Sequence, residues 1–409
     1  MPIGQKGSGH SPNRERIMTD VKKILMVAGE ASADFHGSEL IEALRNSSLS
    51  FSLHGVGGRG LKEKGMEVLI PATSLNVIGG VDWSEKMLGV WQAYRALSRW
   101  IKIEKPDLAI LMDLPDFNLS LAKVLKKQGV PVIYYISPQV WAWRKYRVRK
   151  IRRLVDLMLV VFPFEKKFYE AHHVPSVFVG HPLIELLEPR SSDRTRTDRL
   201  ESPQIALLPG SRPSELKFHG PILAEAAIIL RARYPKVQFQ VPIAPTLETA
   251  EVASYFAGLP VTLIESSAKQ VLHWADVALV TSGTATLEAT IVGTPFCLFY
   301  KVRSSSAFLL RHLFRYRGLI GMPNILLGRE AVREFFQQRA RPEFLAEEAC
   351  RLLNDEGYRV QMIEDFAQCR SVLGGHGASQ RAAVEVQKLM AKLGPIESEG
   401  VCGVVAPVN

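Results

Sequence analysis

The sequence predicts an α/β protein made of two doubly wound, parallel-sheet domains that face each other across a cleft. Three observations carry this. Short apolar segments of strand length alternate with stretches of helical periodicity, once from Lys22 and again from Ile205. A polar stretch at 188–203, with four arginines, four acids and no strong apolar periodicity, separates the two runs. The length, 409 residues, exceeds what one hydrophobic core usually covers.

The first run places strands at Ile24–Ala28, Phe51–Val56, Leu108–Met112, Val132–Ile136, Leu157–Phe162 and Ser176–Val179, with helices near Gly37–Arg45 and Leu119–Gln128. Strands separated by helices run parallel and carry helices on both faces. The second run places strands at Ile205–Leu208, Val237–Val241, Val261–Ile264, Val277–Val280 and Phe296–Tyr300, and a helix at Ile222–Arg233. From Phe344 to Leu393 the pattern is helical without a strand, so this segment is expected to pack back across the junction or to exchange with a second subunit in a homodimer. The expected division is a tail at 1–20, a domain at 21–187, a linker at 188–203, a domain at 204–345, C-terminal helices at 346–393 and a tail at 394–409. In open parallel sheets ligands bind outside the carboxyl ends of the strands. Two such sheets in opposition predict two ligands meeting in one cleft.

Composition narrows the chemistry. Cys297, Cys350, Cys369 and Cys402 lack metal-ligand or redox spacing, which points to a reducing cytoplasm and to no bound cofactor or metal. The first twenty residues have no apolar segment of the kind a signal peptide needs. No apolar run approaches the ~18 residues of a membrane-spanning helix. A net charge of +10 calls for an anionic partner. Residues 144–153 hold seven Arg or Lys and no acid, and 301–317 interleave Arg311, Arg315 and three further cations with Phe, Leu and Tyr. The stretch Trp83–Ile103 repeats this chemistry: Trp83, Val90, Trp91, Tyr94 and Leu97 recur at helical spacing, with Trp100 and several cations among them. Basic and apolar together suggest an anionic membrane surface rather than nucleic acid.

Five loops that follow strands carry unusual residues. In Asp276–Glu288 a short strand empties through Ser282, Gly283 and Thr284 into an Ala-rich helix, which aims backbone N–H groups and the positive helix end at one point. That point suits a phosphate, and Glu288, roughly one and a half turns on, is placed for a ribose hydroxyl. The plainer alternative makes Ser282 an N-cap. In Leu208–Arg212, Ser211 and Arg212 are poised to meet a diphosphate across from Ser282. In the loop after the first strand, Gly29 permits a tight turn, Asp34 can cap the next helix, and Glu30 faces the crevice. In Asp113–Asn118, Pro115 stiffens the loop, Asp116 or Asn118 can cap the next helix, and Asp113 is left without a structural duty. A carboxylate at such a strand end is a candidate general base, with metal binding as the weaker rival because two aspartates are a thin ligand set. The loop holding Ser137, Gln139, Trp141 and Trp143 leads into the basic cluster and fits a sugar or a lipid beside a phosphate, or alternatively core tryptophans. Gly55–Gly60 follows the second strand rather than the first, so it reads as a turn and not a dinucleotide fingerprint. His172, His173 and His181 lack partners at ligand spacing.

Taken in order, these loops, together with Pro163-Phe164-Glu165, Gly180-His181-Pro182 and Pro323-Asn324, closely resemble the lipid-A-disaccharide synthase family from about Lys22 to Met390. The resemblance implies a GT-B glycosyltransferase with two Rossmann-like domains, peripheral at the cytoplasmic face of the inner membrane. It implies inverting, metal-free transfer from UDP-2,3-diacylglucosamine to 2,3-diacylglucosamine 1-phosphate, with a β-1,6 disaccharide and UDP as products. By position it makes Asp113 the base. Arg212 and the amides of Ser282–Thr284 would stabilise UDP, and Glu288 and Asn324 would hold the nucleoside. Glu30, Asp34, Asn118 and the Ser137–Trp143 loop would shape the acceptor side. The readings that remain beside it are another UDP-N-acetylglucosamine enzyme of the same architecture, an epimerase or peptidoglycan glucosaminyltransferase, and a non-catalytic basic binder.

Overall fold

A computed structural model describes residues 21–47, 49–75, 83–143, 145–191, 194–265, 268–301 and 319–392. Among the described residues, thirteen strands form two wholly parallel sheets. The first contains β1 (Lys22–Ala28), β2 (Phe51–Gly57), β3 (Glu67–Pro71), β4 (Leu108–Met112), β5 (Val132–Tyr135), β6 (Leu157–Val160) and β7 (Ser176–Phe178), in the order β3-β2-β1-β4-β5-β6-β7. The second contains β8 (Gln204–Leu208), β9 (Gln238–Pro242), β10 (Val261–Ile264), β11 (Val277–Thr281), β12 (Phe296–Tyr300) and β13 (Glu334–Phe336), in the order β10-β9-β8-β11-β12-β13. The expected fold class holds. Central strands such as β4 and β11 are buried along their whole length, because helices cover both sheet faces and every position must be apolar or paired.

Two strands escape the sequence pattern. β3 and β13 are edge strands, one closed by Pro71 and the other three residues long with Glu334 at its head, so neither shows a readable apolar run. Two helices start earlier than expected. Pro115 occupies the first turn of the helix Pro115–Lys127, where its missing N–H costs nothing, and Ala31 opens the helix Ala31–Arg45. Within the polar stretch at 188–203, Thr195 and Asp198 form a reciprocal capping box at the head of a short helix, Arg196–Glu201.

The C-terminal segment divides into three helices, Pro342–Asn354, Glu356–Val372 and Ala378–Lys392. The last lies against the chain's own helix Ala31–Arg45 in the first half. The crossing is stitched by one backbone bond, His181 N–H to the Leu373 carbonyl at 2.9 Å, and by the Arg381 guanidinium, which donates across to the Val179 carbonyl and within its own segment to the Gly375 and His376 carbonyls. Gly180 has φ 87°, a left-handed conformation that favours glycine, and a Cβ there would also displace the Arg381 guanidinium, 2.5 Å away.

Candidate active site

In each sheet the strand order reverses once, between β1 and β4 and between β8 and β11. At such switch points the connections diverge to opposite faces and leave a crevice. Four of the loops singled out from the sequence stand there: those after β1 and β4 in the first half, and those after β8 and β11 in the second.

Asp113 follows β4 with φ 50°, and Leu114 follows with φ 33°, so two non-glycine residues in a row are left-handed. This turn swings the Asp113 carboxylate onto the loop after β1, where it accepts from Gly29 N–H at 3.1 Å and Glu30 N–H at 2.7 Å. Gly29 is required: a Cβ there would lie 2.1 Å from the Leu114 side chain. Burial pushes the Asp113 carboxyl up to about 7, with the Glu30 charge adding to the rise and the two amides opposing it. Asp116, by contrast, is exposed and ion-paired with the buried Arg147. Of the two aspartates, Asp113 is the one buried at the end of its strand, and its raised pKa brings it near neutrality.

The second half holds a cavity of about 1010 Å³ at its own switch point. Ser211, Arg212, Ser282, Gly283, Thr284 and Glu288 all line it, and Gln139 reaches it from the first half. The helix Thr284–Val292 begins after Gly283 with no side-chain cap, so Ser282 does not plug the helix end. Gly283 has φ 153°, and the space where a Cβ would sit is open. Helix-end amides in an open cavity form an anion site. Arg212 is more than half exposed, 4.0 Å from Glu215. Glu288 makes no hydrogen bond or ion pair with another described residue, and burial alone raises its pKa. An uncommitted, half-buried carboxylate suits sugar hydroxyls.

Five polar or aromatic candidates are buried and bonded within the fold. Asp34 accepts from Gly58, Gly60 and Leu61 N–H at 2.6, 2.8 and 3.3 Å, capping the short helix Arg59–Glu63 rather than its own. Asn118 is fully buried and donates to the Met112 and Asp113 carbonyls. Ser137 is buried against the Tyr169 hydroxyl at 2.7 Å. Trp141 is 2% exposed and donates to Glu165 at 3.0 Å, so it cannot stack on a sugar. Asn324 is fully buried and saturated by Ala331, Val332 and Glu334. Among the membrane candidates, Trp91 is 52% exposed, whereas Trp100 is partly buried and lies 5.4 Å from the His54 ring. Arg311, Arg315 and the side chain of Trp83 lie outside the described residues. No described helix is long and apolar enough to cross a membrane.

The sequence reading missed three supports. Glu215, at the third helical position after Pro213, accepts from Ser211 N–H at 3.1 Å, and its carboxylate occupies the space a Gly210 Cβ would need. An acid at that position is a readable capping signal. His219, kept neutral by burial, donates from Nδ1 to the Pro209 carbonyl and accepts at Nε2 from Lys301 N–H, tying the loop after β8 to the end of β12. Glu165 is buried with its pKa raised to about 8, and braces both Trp141 and the Phe162 amide. Glu165 carries the same local signal, as the third residue of the helix Pro163–Glu170, whereas nothing local marks His219, whose partners lie 10 and 82 residues away.

The family profile described as lipid-A-disaccharide synthetase matches residues 24–388. The lipid-A-disaccharide synthase of Anaeromyxobacter dehalogenans (strain 2CP-C) is 42% identical over 375 residues, 90% of this chain and 97% of that protein. The one from Myxococcus xanthus (strain DK1622) is 40% identical over 379 residues, 91% and 99% of the two. Among solved structures, the UDP-GlcNAc 2-epimerase of Neisseria meningitidis bound to UDP-GlcNAc has a TM-score of 0.61 at 14% identity, covering 90% of this chain and all of that one. The calicheamicin glycosyltransferase CalG4 has a TM-score of 0.58 at 16% identity, covering 92% and 100%. These structural likenesses establish the GT-B arrangement of two Rossmann-like domains and nothing finer. With the profile spanning both sheets and both switch points, and relatives aligned nearly end to end, the chain belongs to the lipid-A-disaccharide synthetase family of glycosyltransferases.

Proposed function

We propose that the chain transfers a 2,3-diacylglucosaminyl group from UDP to the 6-hydroxyl of 2,3-diacylglucosamine 1-phosphate, with inversion and with Asp113 as the base. The observation that carries this is Asp113 itself: a carboxyl with pKa about 7, held by two amides at the switch point of one sheet, while the other sheet offers an open helix end beside an uncommitted Glu288. In the step, the Asp113 carboxylate takes the hydroxyl proton as O6 bonds to the anomeric carbon. The bond from that carbon to the diphosphate oxygen breaks, and its electron pair leaves with UDP. The first-turn amides after Gly283 and the Arg212 guanidinium neutralise the charge that develops there. Attack from the face opposite UDP gives the β linkage.

The exposed Leu88 and Trp91, with the Arg95 guanidinium 4.6 Å above the Trp91 ring, support docking on an anionic membrane surface, where both acylated substrates reside. Mass spectrometry of products formed from the two acylated glucosamines tests the reading. The expected product is the tetra-acyl disaccharide 1-phosphate with one UDP released per linkage. Turnover of UDP-N-acetylglucosamine without any acylated donor would favour an epimerase or peptidoglycan-type transferase instead.

A further inference from the structure

We infer that Tyr134, on β5, is a positioning residue for the Asp113 carboxylate. The peptide joining Asp113 to Leu114 is shared by two consecutive left-handed residues, a conformation that non-glycine residues hold only where the surroundings impose it. Its carbonyl oxygen is gripped from two sides. The Tyr134 hydroxyl donates to it from the neighbouring strand, and Asn118 Nδ2 donates to it at 2.8 Å from the helix below. Both donors are fully buried, and Tyr134 is paired in register with Leu111 of β4, so neither can follow the loop if it relaxes. Pinning that oxygen fixes the plane of the peptide. The plane in turn sets the direction of the Asp113 side chain onto Gly29 and Glu30, and seats Leu114 against Gly29. Tyr134 touches neither substrate in this arrangement and acts through the backbone of the base.

This inference rests on the reading of Asp113 as the base, and a double-mutant cycle separates the two. Tyr134→Phe keeps the ring and removes only the donor. Loss of a positioned geometry slows chemistry by about 10- to 100-fold, so kcat should fall by that factor with both KM values and UDP affinity within about twofold of wild type. On an Asp113→Asn background, Tyr134→Phe should change residual turnover less than about twofold, because the group it positions is gone. Wild-type kcat in Tyr134→Phe, or an equal slowing on both backgrounds, overturns the inference and leaves the base assignment standing. Wild-type turnover in Asp113→Asn overturns both. If Tyr134→Phe does not fold, Asn118→Ala removes the second donor to the same oxygen and carries the same expectations.

Discussion

Burial sets the behaviour of each carboxyl that matters, and their partners distinguish them. Glu288 is desolvated yet bonded to no described residue, so it is available to a ligand and idle in the fold. Glu288→Gln should weaken UDP binding about tenfold by calorimetry, the scale of one hydrogen bond to a charged group, with no loss of Tm. Glu165 is the opposite case: committed to Trp141 and the Phe162 amide, with its pKa raised from 4.5 to about 8 by burial. Between those values the folded protein holds this proton and the unfolded chain does not. Its contribution is therefore complete below pH 4.5 and is lost as pH rises through about 8. Glu165→Gln removes the titration at the cost of one acceptor, so it should flatten that slope: its Tm relative to wild type should rise by ~2–4 °C between pH 4.5 and pH 8.5, whatever the constant offset from the lost acceptor. A Tm difference independent of pH would refute the assignment.

Loops and their glycines decide where these groups point. Gly29→Ala places a Cβ 2.1 Å from the Leu114 side chain, so the loop after β1 must retreat from Asp113. We expect Gly29→Ala to cost ~1–3 kcal/mol in a denaturant titration and to lose most turnover, while UDP affinity, set in the other half, stays. The sequence made these loops legible because Gly, Pro and unpaired acids stood directly after apolar strands. It did not reveal which polar side chains face the ligand and which face inward. Asp34 finds its partners 24 to 27 residues away on a glycine-rich turn, and Asn324 finds Glu334 on a strand too short to show a pattern. Periodicity is too short at the first turn of a helix or in a loop to fix direction, so capping, packing and ligand contact are all open in the sequence for these residues, and the structure buries Asp34, Asn118, Ser137, Trp141 and Asn324. Gly58 and Gly60 are explained the same way, as close approaches to the Asp34 carboxylate, at 2.9 Å from any added Cβ.

At the scale of the whole molecule, the last helix returns to the first half, and the crossing at Gly180 and Gly374 ties the two sheets through backbone contacts. The helix Trp83–Glu104 turns Trp91 and Leu88 outward while Leu97 and Ile101 are buried. Trp91→Ser should therefore release the protein from anionic vesicles without weakening UDP binding, whereas Trp100→Ser should lower Tm and leave vesicle recovery unchanged. Equal release by both would show that the lipid face is drawn wrongly. In the proposed reaction one chain presents an activated oxygen nucleophile from its first half to a UDP-sugar held in its second. The pH dependence of disaccharide formation by wild type and Asp113→Asn, with UDP binding measured alongside, tests it most directly. We expect a wild-type rate that falls as pH drops through about 7, and a variant ~10²–10⁴-fold slower at every pH with UDP affinity intact. Disaccharide formed by Asp113→Asn at the wild-type rate would contradict it.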